Sequence, residues 1–421
     1  MKEKQNKVNR RNFLKTMGAA GLAPAFAGVT KGFDVSAEPN AEKKDKPKYP
    51  QVPKRKLGKT GVEVPSLSLG TNRLIDNQII LRAALQRGIS YWDTAHSYTG
   101  GNCELTIGKF LSKNPDVRKQ LFIVSKATGA RNVADVEERL QTSLKRMNTE
   151  YIDLYYGVHK LSDSAQLTDE LRQWVKDAKK RKLIRFFGFS THKNMAQNLT
   201  AAAGLDWIDV IMTAYNFRLM QDSKMQAAID TCHKAGIGLI AMKTIALTLT
   251  ERRQIEAGRK IETEEDKKLL GHFLKQGLTA EQAKIKYVLQ DKRISSACVG
   301  MSNITNLKSN VEAALNKTKL TTADMAVFKE YAKATCSSYC TACAHICDST
   351  LPDASYISDI MRYLMYYNSY GEQAEARRLF AQIPAGVRNK LLDMDYTLAE
   401  ARCPQRLPIT ELIVEAVSKL A

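Results

Sequence analysis

Cysteine is scarce in this chain, eight in 421 residues, yet four of the eight fall within the twelve positions of CSSYCTACAHIC, Cys336 to Cys347. No apolar run is long enough to cross a bilayer as a mature helix, which argues against a stable membrane span. No helix-turn-helix, zinc-finger or RNA-binding signature accompanies the formal charge of +20. The excess of 64 lysines and arginines over 44 acids therefore reads as a solvated basic surface, and no nucleic-acid partner is expected. Part of that charge lies in the lysine-rich N-terminal region, and part can attract a phosphate-bearing cofactor. No GxGxxG follows the first candidate strand, which weighs against a Rossmann domain. What is present is a hydrophobic fraction of 44%, enough for a sizeable core, in a chain long for a single ordinary domain.

The first residues do not read as fold. NRRNFLK is followed by the apolar stretch TMGAAGLAPAFAGV and by small residues spaced as Ala25-x-Ala27. A charged start, a short apolar run and a small-residue site make a signal peptide. Arg10 and Arg11, followed by Phe13 and Leu14, resemble the twin-arginine export signal, an address read by the export machinery. Residues 1–37 are assigned to this signal, with cleavage expected after Ala27 or Ala37. The expected localisation is periplasmic, or otherwise exported through that pathway. Residues 38–53, polar and proline-rich, read as a linker.

Beyond the linker, KLGKTGVEV suggests a short hairpin leading into the buried strand SLSLG. Apolar runs then recur as ISYWDTA, LFIVSKA, YIDLYYGVH, IRFFGFS, IDVIMTAY, IGLIAMK and SSACVG. Helical patterns separate them, such as VADVEERLQTSLKRM with apolar residues at three- and four-residue steps. Strand–helix alternation implies an α/β protein with a parallel sheet. Eight strands over roughly 250 residues suit a closed (β/α)8 TIM barrel. The barrel is placed at residues 54–318, with a helical insertion at 248–277 ahead of the last strand. Residues 319–421 form a helical C-terminal extension.

Barrels of this kind keep their chemistry at the C-terminal ends of the strands. Three successive strands end in a titratable residue: Asp93 in YWD, Lys126 in IVSK and His159 in YYGVH. Tyr98 follows in the loop above Asp93. Singly, each has a plain structural reading; Asp-Thr after a strand, for instance, commonly caps a helix. Together they form one constellation on adjacent strands.

GVEVPSLSLGT, YWDTAHSY, the strand lysine, the strand histidine, GFSTH, AYN and GMSNITNLKSN follow one another in the order found in aldo/keto reductases. The resemblance covers roughly residues 54 to 316. It implies reduction of a small carbonyl compound, or oxidation of the alcohol, with NADP or NAD. It also implies a tetrad in which Tyr98 donates a proton, Lys126 lowers the phenol's pKa, Asp93 fixes the lysine and His159 orients the substrate. Cofactor contacts carry over to Gly70, Thr71 and Asn72 after the first strand, and to Tyr215 in AYN. Ser190 and His192 match the carboxamide site, and Gly300, Ser302 and Asn310 the phosphate and adenine site. Met212 stands where many members have glutamine, and Asn303 where an arginine often follows the serine.

Three chemistries compete for the clustered thiols. Export permits disulfides. Zinc could use Cys340 and Cys343 with His345 or Cys347. An iron–sulfur cluster would take three close cysteines and a distant one before proline, as in Cys403-Pro404. The chain also resembles a subset of aldo/keto reductases with a ferredoxin-like C-terminal extension. That resemblance implies one [4Fe–4S] cluster on Cys340, Cys343, Cys347 and Cys403, with Cys336 as the alternative ligand. Such a cluster either exchanges electrons, with a possible redox partner protein, or pins the tail. Cys103, Cys232 and Cys298 read as inert packing residues. The rival to an enzyme is a barrel kept as a nicotinamide-binding or regulatory subunit with a structural metal site.

Overall fold

The computed structural model describes residues 48–249, 263–351 and 356–421. The signal, the first part of the linker and residues 250–262 of the insertion lie outside the described residues. Strands β1 (Lys54–Lys56) and β2 (Glu63–Pro65) pair antiparallel as the expected hairpin. Eight strands follow: β3 (Leu67–Gly70), β4 (Tyr91–Asp93), β5 (Phe122–Lys126), β6 (Ile152–Leu161), β7 (Ile184–Thr191), β8 (Val210–Ala214), β9 (Gly238–Met242) and β10 (Ser296–Gly300). They close a parallel barrel in the order β10, β3, β4, β5, β6, β7, β8, β9. Each coincides with one of the apolar runs. The reason is that parallel strands in such a barrel are covered on both faces, so β5 and β8 are buried along their whole length.

Inside the barrel, Leu57, Val64, Tyr91, Phe122, Val124, Leu154, Tyr156, Val210, Met212 and Ile240 form one apolar cluster. Leu57 and Val64 come from the hairpin, and Leu57 packs against Gly238 at the start of β9, so the hairpin closes the N-terminal end. Burying a leucine of this kind contributes about 1.5–3 kcal/mol. At the β3–β10 seam Gly70 has a steric role: a Cβ there would stand 3.3 Å from the Val299 carbonyl oxygen and 3.4 Å from Cys298 Sγ.

The surrounding helices follow from sequence in the ordinary way. Val133–Met147 buries Val136, Leu140, Ser143, Leu144 and Met147, a stripe at three- and four-residue steps. Asn132 caps it by accepting from the Asp135 N–H at 2.9 Å, and Asn148 ends it in the left-handed region at φ 49°. Within the described part of the insertion, Glu264–Leu274 is helical as expected, and helix Ala280–Gln290 follows it.

Two boundaries differ from the sequence reading. Val52 is buried and its N–H donates to the Arg87 carbonyl oxygen at 2.9 Å, so the end of the linker is already docked on the barrel. Helix Thr322–Ala334 buries Phe328, Tyr331 and Ala332 in the core between barrel and helices, so the barrel unit runs past residue 318. Helices Ile357–Asn368, Gln373–Ala381, Thr397–Arg402 and Ile409–Leu420 then gather a separate core that includes Ile360, Met361, Leu364, Phe380, Ile413, Cys340 and Cys347.

Candidate active site

Asp93, Lys126 and His159 stand on β4, β5 and β6, at the C-terminal rim where the alternation placed them. Lys126 Nζ lies 2.5 Å from Asp93 Oδ1 and donates to the Thr94 carbonyl oxygen at 2.6 Å, with both side chains buried. The same ammonium sits 4.9 Å from the centre of the Tyr98 ring. The Tyr98 and His159 rings meet edge to face with centroids 6.3 Å apart. His159 Nδ1 is engaged by Thr128 Oγ1 at 2.8 Å. The structure therefore brings all four residues together.

Their electrostatics correct one expectation. Burial pushes the Tyr98 phenol well above its ordinary 10, and the Asp93 charge adds to the rise. Tyr98 thus rests as a neutral, protonated phenol. Burial also raises the Asp93 carboxyl, against the opposing pull of Lys126. Asp93 Oδ2 is buried with no hydrogen-bond partner among the described residues. Burial, then Lys160, Lys126 and Lys243, hold His159 well below its ordinary 6.5, so it is neutral.

The residues expected to hold a cofactor are distributed unevenly. Thr71 Oγ1 donates to the Asp93 carbonyl oxygen at 2.9 Å, tying β3 to β4. Asn72 Nδ2 donates to Glu372 of the tail at 2.5 Å. Ser190 Oγ accepts the Lys160 N–H at 3.0 Å. Buried His192 keeps Nδ1 without a partner among the described residues, a polar atom that fits a ligand amide. Gly300 is exposed with open space around it, and Ser302 and Asn303 lead into helix Ile304–Leu315, an N-terminus suited to phosphate. Asn303 caps that helix by accepting from the Asn306 N–H, while Asn310 donates to the Gly300 carbonyl oxygen at 3.4 Å. Tyr215 is not brought to this rim. It packs between the barrel and its helices, and its hydroxyl donates to Asp291.

The tail lies against the same rim. Arg362 donates to the His192 carbonyl oxygen at 2.8 Å, and Lys193 pairs with Asp359 at 2.9 Å and Asp348 at 3.2 Å. Tyr366 and Tyr370 lie beside Lys243, the residue after β9. Sequence reading missed Lys160, Lys243, Arg362 and Tyr366. The strand-end rule that found Lys126 would have found the two lysines, since they follow His159 and IGLIAM directly.

Cys340, Cys343, Cys347 and Cys403 line one small, largely enclosed cavity with Pro404, walled by Ile346, Ile357, Met361 and Leu407. Cys336 and His345 are not among its lining residues. His345 instead bonds Asn194 Oδ1 at 3.1 Å, away from the thiols. No three His, Cys, Asp or Glu side chains among the described residues come close enough to hold a single ion. The thiols carry matching surroundings: the Ala342 N–H donates to Cys340 Sγ at 3.4 Å, and the Arg362 cation is close enough to oppose the rise that burial imposes on Cys340, to about 12. Outside the cavity, burial likewise raises Cys103, Cys232 and Cys298, consistent with unreactive packing thiols.

The sequence profile of the aldo/keto reductase family matches residues 67–333, most of the chain. The chain belongs to the aldo/keto reductase family. A twin-arginine translocation signal matches residues 7–27, so this family member is exported through that pathway. It is 25% identical over 328 residues to the L-glyceraldehyde 3-phosphate reductase of Escherichia coli K12, covering 68% of this chain and 93% of that one. Among solved structures, the thermostable aldo-keto reductase Tm1743 superposes with a TM-score of 0.54 at 25% identity, covering 66% of this chain and 99% of that chain. The aldo-keto reductase AKR11C1 from Bacillus halodurans superposes with a TM-score of 0.55 at 24% identity, over 68% and 97% of the two chains. An oxidoreductase on a TIM barrel follows from these matches. No helix among the described residues is long and apolar enough to cross a membrane.

Proposed function

We propose that this exported family member reduces a small carbonyl compound, or oxidises the matching alcohol, through Asp93, Tyr98, Lys126 and His159 with NADP or NAD. The observation that supports it is the convergence of those four side chains at one rim, with the Lys126–Asp93 pair at 2.5 Å beneath the Tyr98 ring. Bound nicotinamide would supply or accept the hydride, chemistry beyond any side chain here. Tyr98, protonated at neutral pH, gives its proton to the carbonyl oxygen as negative charge develops there. The phenolate left behind is stabilised by the Lys126 ammonium, which Asp93 holds in place. Neutral His159, with Nδ1 taken by Thr128, has Nε2 to hydrogen-bond the same oxygen. Ser190 and His192 would hold the carboxamide, Gly70, Thr71 and Asn72 would line the rim, and Gly300, Ser302 and Asn310 would receive the phosphate end.

In this reading Cys340, Cys343, Cys347 and Cys403 are the ligands of one [4Fe–4S] cluster, and Cys336 is spare. The shared cavity, its apolar walls and the N–H···S bond to Cys340 support that choice. Such a cluster passes electrons singly. Arg362 links the two regions, because it is close to Cys340 and bonds His192. A nicotinamide enzyme outside the cytoplasm has no assured supply of reduced soluble cofactor, and a neighbouring electron centre with a redox partner protein answers that difficulty. The competing reading, a nicotinamide-binding or regulatory subunit with a structural metal site, draws on Asn72 and Ser190 being already engaged by protein atoms.

Protein purified without oxygen from its native compartment should contain about four irons and four sulfides per chain together with nicotinamide. It should turn over part of a carbonyl panel. Metal and nucleotide without turnover would favour the regulatory subunit, and stoichiometric zinc without iron would remove the cluster.

A further inference from the structure

Lys160, near the end of β6, and Lys243, just after β9, stand on the tetrad's rim, and neither has an ion-pair or hydrogen-bond partner for its ammonium among the described residues. Both adopt the left-handed backbone region, at φ 72° and φ 57°, which L side chains rarely enter. At Lys160 the cause is visible: the β6–β7 register shifts between His159 and Leu161, and this irregularity re-aims the intervening side chain. Strained backbone of this sort persists where the surroundings impose it, often at functional sites.

The tail completes the arrangement. Lys243 Nζ sits 3.9 Å from the centre of the Tyr370 ring and 4.9 Å from that of Tyr366, and Lys160 Nζ lies 5.7 Å from the Tyr366 ring. Arg362, on the same tail helix as Tyr366, adds a third cation beside His192. The nearby carboxylate, Glu372, is committed to Asn72 at 2.5 Å and Arg73 at 3.9 Å. Asp348 and Asp359 are taken by Lys193. The ring faces hold the lysines in place, and cation–π contact leaves ammonium N–H groups for another acceptor. Burial lowers Lys243, so its charge is held at a cost that a bound anion would offset.

We propose that Lys160, Lys243 and Arg362, with Tyr366 as the tail's contribution, form an anion subsite for a carboxylate or phosphate carried by the substrate near its reacting carbonyl. This rests on the tetrad reading above, and it assigns the substrate class that reading leaves open. Lys160 adjoins His159 on β6, and Lys243 shares the Tyr366 ring with Lys160, which places the subsite beside the tetrad. The anionic oxygen group is the shared chemistry. A dinucleotide's diphosphate is its other possible source, and the test separates the two.

The test compares kcat/KM of the full chain for glyceraldehyde against glyceraldehyde 3-phosphate, and for glucose against glucuronate. The wild type should favour at least one charged member tenfold or more, the scale of a charge-assisted contact. Lys243→Met and Lys160→Met should each cut that charged-to-neutral ratio about tenfold, a change that general misfolding would not produce. Equal use of charged and neutral members by the wild type overturns the proposal. So does a variant that weakens nicotinamide-dinucleotide binding while the ratio stays fixed, because the anion would then be the cofactor's. Calorimetric titration with inorganic phosphate and with malonate decides the matter if no compound is turned over. Binding that the Lys160→Met/Lys243→Met protein loses upholds the subsite while the catalytic reading fails, and no binding by the wild type overturns the subsite as well.

Discussion

The Lys126 ammonium stands 2.5 Å from the Asp93 carboxylate, both buried, and 4.9 Å from the centre of the Tyr98 ring. Removing one partner of a buried pair strands the other charge, at a cost of about 3–5 kcal/mol. Lys126→Met should therefore lose stability on that scale as well as turnover. Adding Asp93→Asn should recover part of the stability and none of the activity. Denaturant unfolding of the two single variants and the double variant checks this, and additive losses would contradict the coupling.

Buried His159 and His192 give a pH dependence with a definite sign. Burial, the larger cause for both, holds their folded pKa well below 6.5. Above about pH 6.5 both folded and unfolded states carry neutral imidazoles, and the pair contributes nothing to the slope. Below it the unfolded chain takes up protons that the folded chain refuses, so stability falls as pH falls, by up to about 1.4 kcal/mol per pH unit for each histidine. The melting temperature should drop between pH 6.5 and 5.5, and His192→Gln should shallow the slope. A flat profile would contradict neutral burial of these rings.

The thiol assignment separates two neighbouring cysteines. Cys343 lines the cavity and Cys336 does not. Cys343→Ser should lose the iron, its visible absorption and the tail's thermal stability, whereas Cys336→Ser should keep all three. Iron retained in Cys343→Ser, or lost in Cys336→Ser, would require a different ligand set.

The barrel was legible because each buried parallel strand is a nearly continuous apolar run, and the tetrad because three of its members fall at the ends of successive strands. The same rule covers Lys160 and Lys243, which went unread because lysine after a strand ordinarily faces solvent. Contacts between distant parts of the chain had no such signal. Nothing local in Asn72 or Glu372 announces their bond across 300 positions. Tyr215 was placed at the rim by motif order, but a side chain after a strand can turn outward, and a partner for its hydroxyl at Asp291 drew it there. At Tyr98 burial dominates and raises the phenol, so the depression expected from Lys126 is not the net direction.

Export depends on residues outside the described part of the chain. Changing Arg10 and Arg11 together to lysine should leave the precursor inside the cell, with the wild-type protein found outside the cytoplasm. Fractionation with an antibody to the tail reads the result directly, and normal export of the double-lysine variant would refute the assignment of Arg10 and Arg11.

Tyr98→Phe removes one hydroxyl and keeps the ring that packs against His159. The decisive measurement is carbonyl-dependent oxidation of reduced nicotinamide by this variant and by the wild type, alongside the dissociation constant of the nucleotide for each. A general acid of this kind is worth about a hundredfold to ten-thousandfold in rate. The account predicts a loss of at least that size in kcat, with nucleotide affinity changed less than about threefold because no phenol–nucleotide bond is invoked. Near-normal turnover in Tyr98→Phe would contradict proton donation by Tyr98, and with it the tetrad.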